Sequence, residues 1–170
     1  MNHLGAALQR LKSNEDRLAE AHGAIATTHA GESEIAQGCT LLKTWAKEDA
    51  RKLQIILNDL DAEPAESERP RPVRRRQKLP GIGLLWDLEE LLTLTQAARA
   101  SSLSVEQAAK AAKNLGLIDT VTSSRASLDR QVAWLETQLK NAAPQAILVP
   151  PRPKRALSRT PPGRSPQPTA

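Results

Sequence analysis

Apolar side chains recur along this chain at alternating steps of four and three residues, the spacing of one face of an α-helix. On the first predicted helix, over residues 4–29, the positions on that face are Leu4, Leu8, Leu11, Glu15, Leu18, His22, Ile25 and His29. Because the spacing holds over successive heptads, it is typical of coiled-coil packing. The pattern predicts a long amphipathic helix that buries one seam.

Three further helices follow from the same spacing. The second, over about 32–61, has the seam Ile35, Gly38 or Cys39, Leu42, Trp45, Asp49, Leu53, Ile56 and Leu60. The third, over about 82–114, has Leu84, Leu88, Leu91, Thr95, Ala98, Ser102, Val105, Ala109 and Ala112. The fourth, over about 117–143, has Ile118, Val121, Arg125, Leu128, Val132, Leu135, Leu139 and Ala142. The sequence therefore predicts an all-α protein, a four-helix bundle.

Helix ends and breaks are predicted from glycine, proline and serine. Tight turns near Gly31 and Gly116 are expected to join the first helix to the second and the third to the fourth. The fourth helix is expected to end before Pro144, since the residue before a proline disfavours helical geometry. The third stays in phase through the stretch ASSLS, which favours one unbroken helix; a break at Ser101–Ser104 is the alternative.

The twelve prolines lie in two stretches, 64–80 and 144–168. A proline inside a helix costs about 3 kcal/mol, so these stretches are predicted to be irregular. The domain prediction is a bundle over 1–149, with an internal linker at 61–80 and a disordered tail at 150–170. Twenty extended residues span at most about 60–70 Å, enough to run the length of a bundle. We therefore expect the long crossover of the ferritin-like topology, with an up-down-up-down bundle and a disordered linker as the alternative.

The net charge of +5 is unevenly distributed along the chain. Residues 1–67 carry a net charge of −4 and residues 79–150 a net charge of −1, whereas 68–78 and 151–170 each carry +5. The predicted helices are thus acidic and the proline-rich stretches basic. This pattern predicts no folded basic groove.

Composition limits which residues can form the core and which cellular locations are expected. The three aromatic residues are all tryptophans, so the core must consist of Leu, Ile, Val and Ala, which suits helices better than strands. The single Cys39 excludes an internal disulfide. There is no apolar run of about 18 residues for a membrane span and no signal-peptide core at the N-terminus. A cytoplasmic location without a membrane span is expected.

Three segments carry a family resemblance: AGESEIAQGCTLLKTWAKEDARKL, GLLWDLEELL and WLETQLKNAAPQAILV. Together they resemble an uncharacterised bacterial family of ferritin-like four-helix-bundle proteins, over roughly residues 1–149. The resemblance implies the fold, and it implies no activity.

Polar residues on the apolar seams are the candidates for chemistry. Di-iron bundles place a Glu on each of two helices and Glu-x-x-His on each of the others. No Glu-x-x-His occurs in this chain, and the three histidines all precede residue 30. No di-iron centre, catalytic residue or cofactor is therefore predicted. We expect a metal-free polar core network of Glu15, His22, Asp49 and Arg125, in which Arg125 lies between the two carboxylates and neutralises them.

Other readings of individual residues stay open. His22 fits a core histidine better than a metal ligand, and His29 is expected to reach water at a helix end. Cys39 fits a small buried apolar residue better than a nucleophile, because no base is identifiable beside it. The stretch LPGIGLLW lacks the last glycine of a dinucleotide-binding loop, and no strand precedes it. It therefore reads as the entry to the third helix.

The basic residues outside the predicted helices form a possible anion-binding set. They are Arg69, Arg71, Arg74, Arg75, Arg76, Lys78, Arg152, Lys154 and Arg155, with Arg159 and Arg164 further along the tail. Such strings bind phosphates with a steep salt dependence, but no aromatic residue is interleaved to stack bases. The composition also fits coding bias in a GC-rich genome. The PRPK and PPGR runs of the tail favour an extended polyproline II conformation, so a docking peptide for a partner domain is equally open.

The sequence thus leads to three hypotheses. The first is a non-enzymatic interaction or accessory protein, whose partner is an unknown protein or a second copy of the chain. The second is a metal-binding or stress-related protein with a reduced site at Glu15, His22 and Asp49. The third is a weak nucleic-acid binder that acts through the basic strings.

Overall fold

A computed structural model of the protein describes residues 3–60 and 81–149. Within these ranges the chain forms four α-helices and no strand: α1 (Leu4–Thr28), α2 (Ser33–Asp59), α3 (Gly83–Ala111) and α4 (Leu115–Leu148). The all-α class and the number of helices are as predicted from the sequence. The predicted linker and tail lie outside the described residues.

Each helix packs against two others. α1 contacts α2 and α3, and α4 contacts α3 and α2, so that α1 and α4 form one diagonal of the bundle and α2 and α3 the other. Among the four adjacent pairs, α2 and α4 make the least extensive contact.

Contacts between α1 and α3 fix their relative direction. Asn14 Nδ2 donates to Ser101 Oγ at 3.0 Å, and His29 Nε2 lies 2.7 Å from Asp87 Oδ2. The residue number rises along α1 as it falls along α3, so the two helices are antiparallel.

The same reasoning applies to α2 and α4. Gln138 Nε2 donates to Glu34 Oε1 at 3.0 Å, and the guanidinium of Arg130 lies 5.2 Å from the centre of the Trp45 ring. These helices are also antiparallel. α1 and α2 are joined by the four residues 29–32 and pack along each other, so they are antiparallel as well. Consequently α1 and α4 point one way along the bundle, and α2 and α3 point the other way.

The core consists of two apolar clusters, one towards each end of the bundle. One includes Leu8 and Leu11 of α1 together with Val121 of α4, and the other includes Leu18 and Leu128 of the same two helices. The α1 seam from Leu8 to Ile25 is buried as predicted. α3 passes through residues 101–104 without a break, and the hydroxyl groups of Ser101, Ser102 and Ser104 donate to carbonyl groups of the preceding turn.

α4 differs from the prediction in the face that it buries. Val121, Leu128 and Leu135 are buried as expected, but the intervening core positions are Ser124, Gln131 and Gln138 rather than Arg125, Val132 and Leu139. Both series share the same three apolar residues, and neighbouring positions lie about 100° apart around a helix. α4 packs between α2 and α3 with the more polar series turned inward.

The two ends of α4 also differ from the prediction. Asn114 caps the helix, since its Oδ1 accepts a hydrogen bond from the Leu117 N–H at 3.1 Å, and Gly116 therefore lies in the first turn. At the other end Pro144 is inside the helix, which continues to Leu148. Only about one turn follows the proline, so the interruption of the hydrogen-bond ladder affects few bonds.

Candidate functional site

A layer of polar side chains separates the two apolar clusters. α1, α2 and α3 each contribute one residue that lies, along its helix, between residues of the two clusters, and α4 contributes two: Glu15, Asp49, Ser102, Ser124 and Ser127. None of the five is more than 5% exposed. We call this set the central polar layer.

Glu15 bonds across the diagonal of the bundle. Ser124 Oγ donates to Glu15 Oε1 at 3.0 Å, which connects α1 directly to α4. Burial raises the pKa of Glu15 to about 8, the charge of Asp49 adds to the rise, and the Ser124 hydrogen bond opposes it. The Glu15 side chain is therefore mainly protonated, and neutral, at pH 7.

Asp49 is the second carboxyl group of the layer. Burial is the main cause that raises its pKa, and the Ser127 hydroxyl and Lys52 oppose the rise. Lys52 Nζ lies 3.8 Å from Asp49 Oδ1 at the rim of the bundle. Ser127 lies near Asp49, but neither Ser127 Oγ nor Asp49 Oδ2 reaches hydrogen-bond geometry with a described residue.

His22 belongs to a second polar pair, one heptad from the central polar layer. Its Nε2 lies 3.1 Å from Gln131 Oε1, and both side chains are fully buried. Burial lowers the pKa of His22 to about 4, so the ring is neutral at pH 7 and its Nε2–H donates to the glutamine. Because His22 is seven residues, about 10 Å, beyond Glu15 along α1, it does not join Glu15 and Asp49 in one site.

Arg125 does not have the partner predicted for it. The side chain is one-third exposed, and its Nε lies 2.8 Å from Glu106 Oε2 of α3. Lys110 Nζ also bonds Glu106, at 2.6 Å, and together with Arg125 it lowers the pKa of that carboxyl group. The physical reason is the rotation of α4, which puts Ser124 in the core and Arg125 on the flank that faces α3. Glu15 and Asp49 are therefore left without the guanidinium.

We expect Arg125→Met to lower the free energy of unfolding by about 1 kcal/mol or less. The ion pair is partly exposed, and Glu106 keeps Lys110 as its partner after the change. Urea unfolding of the variant and the parent measures the difference. A loss near 3 kcal/mol would instead indicate that Arg125 neutralises Glu15 or Asp49 in the core.

The structure also shows the surroundings of Cys39 and His29. Cys39 is fully buried and burial raises the pKa of its thiol to about 12, so the thiol is protonated and behaves as a small apolar group, as expected. His29 was expected to reach water, but it is half-buried and bonded to Asp87.

Sequence reasoning missed five buried polar residues: Glu106, Ser124, Ser127, Gln131 and Gln138. A signal for three of them is present, since Ser124, Gln131 and Gln138 repeat every seven residues between buried apolar positions. Among residues 3–60 and 81–149, no group of three or more His, Cys, Asp or Glu side chains is placed to hold a metal ion. The basic strings at 68–78 and 151–170 lie outside the described ranges.

No family model, curated protein or solved structure matches this chain. In the described part of the chain, none of the helices combines the length and the apolar character that a membrane crossing requires.

Proposed function

We propose that the chain is a non-enzymatic interaction or accessory protein, in which a polar core takes the place of a di-metal centre. One observation carries the proposal: the buried polar residues bond each other across the bundle. Glu15 pairs with Ser124 and His22 with Gln131, so that α1 and α4 supply the partners of both. Groups that are neutral and paired stabilise a core without a bound metal ion.

The ferritin-like topology is part of this proposal. α2 and α3 point in the same direction, so that α2 ends at one end of the bundle and α3 begins at the other. α2 has 27 residues and is about 40 Å long, whereas the 23 residues between Asp59 and Gly83 span at most about 80 Å. These directions and lengths support a crossover along the bundle.

An accessory role is supported by the surface at the end of α4. Ile147, Leu148 and Val149 are between 59% and 78% exposed, and adjacent exposed apolar side chains of this kind mark contact sites for partners. His22 is a poor general base, because its ring is fully buried and its pKa is lowered to about 4. The Cys39 thiol stays protonated and is a poor nucleophile. A cytoplasmic location completes the proposal and is based on the single cysteine.

Iron binding tests the metal-free core. The tag-free protein is titrated with Fe²⁺ in air, while oxygen consumption and near-ultraviolet absorption are followed. We expect no stoichiometric binding and no burst of oxygen consumption, because His22 lies away from the two carboxyl groups. Two irons per chain with an oxo-bridge absorption band would overturn the proposal.

Weak nucleic-acid binding is a second candidate, favoured by the charge of +5 on each basic string. Retention of the full chain on immobilised RNA and DNA is compared at low and moderate salt. If the strings bind phosphates, retention falls steeply with salt, and replacement of Arg74, Arg75 and Arg76 by Gln weakens it. Equal retention of the variant and the parent would exclude a role for this string.

A further inference from the structure

The central polar layer contains buried oxygen atoms that the proposed function leaves unexplained. Glu15 Oε2, Asp49 Oδ2 and Ser127 Oγ are buried, and none has a hydrogen-bond partner among the described residues. Unpaired buried acceptors usually cost about 1–3 kcal/mol each. Two of these oxygens belong to carboxyl groups, which indicates that a further bound species completes Glu15 and Asp49.

A proton meets this need. If both carboxyl groups were ionised, two like charges would lie in the core without a buried counter-charge, since Arg125 pairs with Glu106. A proton on either Glu15 or Asp49 removes one charge and supplies a donor for one of the unpaired oxygens.

The charged groups around Glu15 and Asp49 repel one carboxyl group more than the other. On α1, Asp16 repels Glu15, and on α2, Glu48 repels Asp49. The attractive charges are Lys52 of α2 and Arg130 of α4, both of which act on Asp49.

The charged residues of α3 near this level are engaged elsewhere. Arg99 Nε bonds Asp129 Oδ1 at 2.5 Å, and Glu106 holds Lys110 and Arg125. The electrostatic attraction on Asp49 is therefore directed towards the side where α2 and α4 meet.

On that side of the central polar layer the helices are also least closely packed, since α2 and α4 make the least extensive contact of the adjacent helix pairs. Asp49 and Ser127, which lie on these two helices, are each 5% exposed, whereas Glu15 is fully buried. The Lys52 side chain is 39% exposed, so Asp49 can follow it into water with a small displacement.

We propose that Glu15 and Asp49 form a proton-dependent latch, in which one bound proton, on either carboxyl group, keeps both groups inside the bundle. When the proton leaves to water, the Asp49 carboxylate turns outward between α2 and α4 towards Lys52 and Arg130, and the contact between these helices loosens. The latch goes beyond the proposed function, because an accessory role requires no response to pH.

The latch is tested on the full chain by two measurements between pH 6 and pH 9. Carbon-13 NMR follows the ionisation of the Glu15 and Asp49 carboxyl groups. Hydrogen exchange, divided by the intrinsic rate at each pH, follows opening of α2 and α4. We expect Glu15 to titrate well above the ordinary range of a glutamate, and the corrected exchange near Asp49 and Ser127 to increase at least tenfold at pH 9.

Two variants separate the latch from a general effect of alkaline pH. Glu15→Gln keeps the shape but cannot lose a proton, so its exchange should be independent of pH. Glu20→Gln, at an exposed position of the same helix, should behave as the parent does. Titration of Glu15 at its ordinary pKa would overturn the proposal, and so would equal opening of the parent and of Glu15→Gln at pH 9.

A divalent cation is the alternative occupant, and a third arm of the experiment detects it. The NMR titration is repeated with Ca²⁺ or Mg²⁺ at pH 6. Ionisation of both carboxyl groups, with protection of α2 and α4 retained, would show that a cation displaces the proton and would overturn the latch. Unchanged titration in the presence of the cations supports it.

Discussion

The free energy of unfolding should be nearly constant between about pH 4.5 and 6.5 and should decrease by about 2 kcal/mol between pH 6.5 and 8. Two buried groups with opposite effects produce this profile. The folded state holds a proton on Glu15 up to about pH 8, whereas the unfolded chain loses it near the ordinary value of 4.5. Stability associated with Glu15 is therefore present below pH 4.5 and is lost as the pH rises to 8, and Asp49 acts with the same sign.

His22 acts in the opposite direction. Its folded-state pKa of about 4 lies below the ordinary 6.5, so the unfolded chain binds a proton first as the pH falls. Stability associated with His22 is complete above pH 6.5 and is lost between 6.5 and 4, by about 3 kcal/mol. The losses from Glu15 and His22 offset each other in the window between 4.5 and 6.5, which leaves the decrease above 6.5 to Glu15.

Two variants resolve the contributions. In Glu15→Gln the stability should rise from pH 4 to 6.5 and then stay level. In His22→Gln it should fall steadily from pH 4.5 to 8. Urea unfolding at half-unit pH intervals, followed by circular dichroism, gives the three curves. Parallel curves for the parent and Glu15→Gln above pH 6.5 would contradict the assignment to Glu15.

Gly38→Ala should lower the free energy of unfolding by about 2–3 kcal/mol, although alanine normally favours a helix over glycine by about 1 kcal/mol. The reason is the close packing of α4 on α2. A Cβ atom at position 38 would lie 2.2 Å from Cζ2 of the Trp134 ring, and two more ring atoms lie within 3.0 Å of it. The ring is rigid and part of it is packed on the core, so the helices must separate.

Two comparisons isolate this contact. Gly116→Ala, where an added Cβ would lie 3.9 Å from Asn114 Oδ1, should leave stability unchanged or raise it slightly. In the background of Trp134→Leu, the additional loss from Gly38→Ala should largely disappear, as expected for two residues in direct contact. Thermal and urea unfolding of the four proteins of this cycle would measure the coupling. Additive losses would show that the glycine is not needed for the ring.

The sequence predicted the buried faces of α1 and α3 well: every residue of the predicted seams from Leu8 to Ile25 and from Leu88 to Ala109 is buried. On α4 the leucines and valines are compatible with two faces, and apolar Val132 and Leu139 favoured the wrong one. Only the neighbouring helices decide between them, and their positions are not local information. The misplaced Arg125 follows directly from this choice.

The candidate site was predicted to the same extent. Glu15, His22 and Asp49 lie buried on the predicted seams of α1 and α2. On α2, however, Ala46 and Leu57 are buried in place of the predicted Trp45 and Ile56. The hydrogen-bond partners Ser124 and Gln131 were missed, because the predicted rotation of α4 placed both polar side chains on the surface of the bundle. α4 continues past Pro144 to Leu148. The presence of a proline in the sequence does not show how many helical residues follow it, so this end of the helix could not be predicted.

The two diagonal pairs also determine how far α4 can slide along α1. Glu15 with Ser124 and His22 with Gln131 are both separated by 109 residues in the sequence, so the two pairs share one register. A shift of α4 by one heptad, about 10 Å, would preserve most leucine-to-leucine packing but would place Glu15 opposite Leu117 or Gln131. Apolar heptads alone allow such shifted bundles, and a buried polar residue is the usual means of excluding them. The polar layer thus gives a bundle of repetitive leucine seams a single alignment.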